Sequence, residues 1–221
     1  MRTPSQFRRW HKVILAIFGP LSFAVLAVAF AHLSHATPAS AQQGGMTVPL
    51  DLARMVDESE NVVLARVTDV KAEKHPQLQN LDTVVVTLDI IEPLKGGPGR
   101  QYSFRQYVFD IRDRDSKLGY RVGDEVVLLL RRPSAQNLTS PVGFEQGRFR
   151  VERDAQGNRF LRNGIDNAAL FDGVDKTAPT LKNHISPAVQ QMVVQHRSGP
   201  ISYEDFRSFV QGVLAARQAA Q

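Results

Sequence analysis

The chain has 221 residues, with 27 lysines and arginines against 22 acids, six histidines and no cysteine. The missing cysteine excludes disulfide staples, thiolate chemistry and a lipoprotein anchor. The net charge of +5 sits largely in residues 1–41, which hold Arg2, Arg8, Arg9 and Lys12 and no acid; without them 23 basic residues face 22 acidic ones, a charge of +1. That balance is no footprint of nucleic-acid binding, which needs basic residues clustered on the folded domain.

The N-terminus reads as an export signal. A basic start is followed by Val13 to Ala31, an apolar run interrupted only by Ser22, and then by the small-x-small site Ala39-Ser40-Ala41. The basic end stays at the anionic cytoplasmic face, the apolar run enters the bilayer, and small residues fit the signal-peptidase cleft. Residues 1–41 are therefore expected to be removed after Ala41, with Ala39 at the −3 position, leaving a periplasmic or extracellular protein. An uncleaved leader is the rival: nineteen helical residues span about 28 Å, near the hydrocarbon thickness. Gly19-Pro20 would break such a helix. Only an uncleaved leader would bring this chain to a membrane.

Residues 42–49 read as a flexible tail, and 50–221 as a single domain, long enough to bury a core without staples. Leu50, Leu52, Ala53 and Val56 recur at helical spacing over 50–59. Strands are predicted over 61–70, 83–91, 101–108, 125–131, 147–152 and 159–162. In the second of them Val84, Val86, Leu88 and Ile90 alternate with neighbours of the other face; Pro93 is expected to end it. The apolar runs Val62 to Ala65 and Val126 to Leu130 predict burial on both faces. Segments 71–81, 110–120 and 133–141 read as loops, residues 153–158 as a hairpin turn, and 163–185 as irregular. Ser186-Pro187 opens a helix, and Ser202 caps a last one that carries Phe206, Phe209, Val210, Val213 and Leu214 on one face. The fold expected is mainly β: a small antiparallel OB-like barrel with a short N-terminal helix and two C-terminal helices.

Four segments carry a resemblance: Asn61 to Val67, Ile91-Glu92-Pro93-Leu94-Lys95-Gly96, Val122 to Leu130, and Gly147-Arg148-Phe149. In this order they resemble exported bacterial proteins whose core is similar to netrin-like domains and tissue inhibitors of metalloproteases, over about residues 61–151. The resemblance implies a five-stranded OB-type barrel. It does not imply the inhibitory mechanism, because those inhibitors chelate zinc through an N-terminal cysteine that this chain lacks.

Chemistry-bearing patterns are sparse. His75, His184 and His196 are scattered without metal-ligand spacing. Asp110, Asp113 and Asp115 crowd one loop, but Arg112 and Arg114 neutralise them and no calcium-loop glycine follows. Lys95-Gly96-Gly97-Pro98-Gly99 joins two strands, whereas a phosphate loop enters a helix. No metal or cofactor is expected. The residues singled out for partner binding are Arg105, Tyr107, Arg112, Arg114, Tyr120 and Arg121, on the outward face of the third strand and the loop after it, because Arg and Tyr combine contact area with hydrogen bonding. The expected function is a non-enzymatic exported module that binds a protein, peptide or glycan; the alternative is a hydrolase with carboxylates from separate loops, such as Glu145 and Asp166.

Overall fold

A computed structural model describes residues 48–221; the expected leader 1–41 with its expected cleavage site Ala39-Ser40-Ala41, and all but the last two residues of the expected tail 42–49, lie outside the described residues. Seven antiparallel strands form one sheet: β1 (Asn61–Lys74), β2 (Asp82–Lys95), β3 (Gln101–Tyr107), β4 (Glu125–Leu130), β5 (Arg148–Arg153), β6 (Arg159–Asn163) and β7 (Ile201–Ser202). Their spatial order is β3-β2-β1-β4-β5-β6-β7. The α-helices among the described residues are α1 (Leu52–Glu58), α2 (Ile111–Asp115), α3 (Val174–Thr177), α4 (Pro187–Gln195) and α5 (Tyr203–Gln218). None of them is long and apolar enough to cross a membrane.

The mainly β class holds, but the sheet is open. β3 and β7 are its edges, and β5 pairs with β4 and β6 without returning to β3. The physical reason lies in α5. Phe206, Phe209, Val210 and Val213 are all fully buried, as the predicted apolar stripe requires, and they need a broad apolar surface. Phe149 of β5, Leu161 of β6 and Ile201 of β7 supply it within the same core cluster, with the Phe149 and Phe206 rings 5.2 Å apart. These strands extend the sheet beneath the helix instead of closing a barrel.

β1 and β4 are buried on both faces, as their unbroken apolar runs predict. Val62, Leu64, Val127 and Leu129 face the helix side; Val63, Ala65, Val126 and Leu128 join Val84, Val86, Leu88 and Phe104 in a separate inner cluster. Two strands outrun their expected ends. β1 continues from Val70 to Lys74, where Lys71–Glu73 and Lys74–Asp82 ion pairs occupy its charged positions. β2 continues through Pro93 to Lys95. The proline is tolerated because β3 pairs only with Thr83 to Asp89 of β2, and β1 bulges between Val62 and Val63 opposite it. The segment expected as a charged loop after β3 contains α2, N-capped by Asp110. The irregular stretch 163–185 is ordered by buried amides: Asn167 Nδ2 donates to the Leu161 and Gly199 carbonyls, 2.8 Å each. Leu170, Phe171, Val174 and Leu181 from this stretch enter the core.

The motif Ile91 to Gly96 has an architectural explanation. Glu92 accepts a hydrogen bond from the Tyr203 hydroxyl at 2.8 Å and pairs with Arg207 at 2.6 Å, tying β2 to α5. Lys95 Nζ donates to the Val56 and Ser59 carbonyls at 2.7 and 2.6 Å, satisfying groups that the end of α1 leaves open. Gly96 has φ +78°, and a Cβ there would collide with Asn61 Oδ1. Ser202 caps α5 as predicted: its Oγ accepts from Asp205 N at 3.0 Å and donates to Asp205 Oδ2 at 2.7 Å.

Candidate functional site

The six residues proposed for partner binding are dispersed by the fold. Arg105 lies on the outward side of β3, but its guanidinium is held by Glu73 Oε1 and Thr83 Oγ1, 2.7 Å each. Arg112 is exposed and doubles back on Asp110; that side-chain bond and the Arg112 backbone N–H hold the Asp110 carboxyl down at about 2. Arg114 lies 3.6 Å from Asp82. Arg121 is exposed. Tyr120 leaves this face altogether: it is 4 % exposed, belongs to the inner cluster, and donates to Gln106 Oε1 at 3.3 Å. Burial pushes its phenol well above the usual range.

Tyr107 stands where something does assemble. Its ring is 4.5 Å from Phe109 and 6.2 Å from Phe144, and the last two are 6.2 Å apart, all edge to face. Phe109 is 81 % exposed, and Ile111, two residues on, is also exposed. Phe144 has φ +53° directly after Gly143 at φ +63°, a left-handed conformation that costs a bulky side chain about 1–2 kcal/mol. Burial of Tyr107 raises its phenol as well.

Arg148 lies next to this rim. Its side chain is only 8 % exposed. The guanidinium stands 4.6 Å from the Tyr120 ring centroid, donates to the Leu118 carbonyl, and pairs at 2.5 Å with Glu145, the neighbour of Phe144. Lys117 and Leu118 both have positive φ. Non-glycine residues with positive φ thus occur on both loops that meet Arg148, and also at Asn137, Asp166, Asn167 and Ala169 elsewhere in the fold. Gln146, two residues before Arg148, accepts from Leu50 N at 2.8 Å and donates to the Val48 carbonyl at 3.3 Å.

Phe109, Phe144 and Arg148 escaped the sequence reading. A lone phenylalanine in a charged stretch is a weak signal, and Phe144 follows a glycine in what reads as a turn. Arg148 stands opposite the buried Leu128, but β5 reads Arg-Phe-Arg-Val-Glu-Arg, so its face carries charge throughout and nothing local marks it.

The two carboxylates of the hydrolase alternative are each engaged by an arginine, Glu145 by Arg148 and Asp166 by Arg162. Among the described residues no group of three His, Asp or Glu side chains is placed to hold a metal ion. A shallow depression beside α4, lined by Met192, Gln195 and His196 among others, has no carboxylate in its lining. His75 is buried, with Nε2 2.9 Å from the Gln136 carbonyl and Nδ1 accepting from Leu78 N at 3.0 Å, which fits a structural role.

Comparison with protein-family models, with curated proteins and with solved structures returned no match.

Proposed function

We propose that this chain is an exported binding module, without catalytic machinery of its own, that engages a protein, peptide or glycan partner through the aromatic rim of Tyr107, Phe109 and Phe144. The observation that carries the reading is Phe109, 81 % exposed yet stacked edge to face on two further aromatic rings. Aromatic side chains bury large areas on binding with little loss of rotamer freedom. The strained backbone at Phe144 aims one of those rings. Strands β1 to β4 are read as an opened OB-type barrel of the netrin-like kind; the support is the loop after β4, whose Thr139 N–H donates to the Arg105 carbonyl on the free edge of β3 at 2.9 Å. Export rests on the leader.

The test is capture from envelope extract with the wild-type protein and the double variant Phe109→Ala/Phe144→Ala. A specific partner is expected on the wild type and lost on the variant, with thermal unfolding little changed. Repeated recovery of nothing specific overturns the binding reading. A partner held equally by both proteins moves the site elsewhere.

A further inference from the structure

Exposed apolar groups and unmatched charges of both signs coincide in one segment. Of the eight large apolar side chains exposed among the described residues, Phe109, Ile111 and Val122 lie within residues 109–122. The same stretch holds Asp113, Asp115, Lys117 and Arg121, none of which forms an ion pair among the described residues. Its other charges are matched, Arg112 with Asp110 and Arg114 with Asp82. Asp115 is exposed and stands one helical turn after Ile111, on the same face of α2. Lys117, two residues further on, is exposed as well. One short surface thus carries an apolar knob, an acid and a cation, and the acid and the cation do not meet within the chain.

We propose that this face is a two-fold dimer interface: the occupant of the aromatic rim is the rim of a second copy, with Phe109 and Ile111 packed at the centre and Asp115 of one protomer paired with Lys117 of the other. The inference rests on the reading of the rim as a binding surface and names its partner. Charge selects the occupant. In chain order two unmatched acids, Asp113 and Asp115, precede two unmatched cations, Lys117 and Arg121, and the four sum to zero. A strongly acidic or basic partner would satisfy one half of them and be repelled by the other. A second copy turned about a two-fold axis brings the acids of one chain to the cations of the other, and does so twice. Shape points the same way. Phe109, 81 % exposed, and Ile111, 59 % exposed, stand out from the surface, whereas a small ligand is enclosed in a recess.

Sedimentation equilibrium of the exported protein, from about 1 to 200 μM, reads the interface. A monomer–dimer equilibrium is expected, and Phe109→Ala weakens it about tenfold, the effect of losing a central aromatic anchor. That side chain is exposed, so the unfolding midpoint of the variant stays near wild type. Asp115→Lys and Lys117→Asp each set like charges against one another across the axis, so each variant alone dimerises less than wild type. Mixed in equal amounts they restore the dimer, because every lysine at the contact then faces an aspartate. Both changes suit their sites: Asp115 ends α2, where a cation is favoured, and aspartate tolerates the left-handed conformation of Lys117. A monomer throughout the range overturns the proposal, as does a dimer that survives Phe109→Ala or a mixture no more associated than its parts. If a monomeric chain captures a foreign partner through the rim, the dimer falls and the binding-module reading stands. If Phe109→Ala abolishes a dimer and nothing foreign is captured, the dimer stands and the foreign partner falls.

Discussion

On the helix side of the sheet, Phe149, Leu161 and Ile201 meet Phe206, Phe209 and Val213, and around the margin Arg153 shares Glu125 with Arg66 and Arg159 shares Glu204 with Arg207. On the other side, a smaller apolar cluster stops at Gln106, Tyr120 and Arg148, then gives way to exposed arginine and to the exposed ring of Phe109. One side is finished as an interior. The other is finished as a surface that keeps an aromatic ring and an arginine in solvent. Natural domains depart from local consistency mainly where function demands it, so the contrast between the two sides points to the uncovered one.

The sharpest way to test the contrast is to damage each side in turn. Phe206→Ala removes a fully buried ring from the helix side, and a loss of about 3–5 kcal/mol is expected by chemical denaturation. Arg148→Met should cost less, about 1–3 kcal/mol, because the Leu118 carbonyl loses its donor while Glu145, half exposed, returns to water. A loss from Arg148→Met as large as that from Phe206→Ala would place Arg148 in the folding core and erase the difference between the sides.

The smallest effect concerns acid. Burial lowers the pKa of His196 below its ordinary value, with nearby Arg197 acting in the same direction and the Asn167 backbone and Asp166 opposing. The folded state therefore resists protonation, and the unfolded chain takes up the proton first, near pH 6.5. Stability from this group is complete above about pH 6.5 and declines as the pH falls through the lowered value. His196→Gln is expected to flatten the fall in midpoint between pH 7 and pH 5. An unchanged slope would assign the acid sensitivity to the carboxylate ion pairs.

Most strands and both long helices were legible because their signals are local. Alternation along Val84, Val86 and Leu88 needs no knowledge of the partner strand, and Ser202 with Asp205 caps α5 wherever that helix packs. The extension of β2 through Pro93 was not legible, since it depends on β3 stopping at the pairing with Asp89. The candidate site was mostly hidden. Tyr120 and Tyr107 look alike in the chain, yet one closes the inner cluster and the other stands in the aromatic rim. Arg105 reads as a free cation until Glu73, 32 positions earlier, is brought against it.

By itself the sequence determined a mainly β chain, the burial of β1 and β4 on both faces and the absence of any cysteine chemistry, because composition and periodicity act over a few residues at a time. Only the tertiary structure decided that the sheet stays open beneath α5, that Phe109 and Phe144 converge with Tyr107, and that Asp115 and Lys117 form no ion pair among the described residues. Those outcomes depend on strand register and on which faces meet across long stretches of chain, and hydrophobic burial settles them only when the whole domain packs at once.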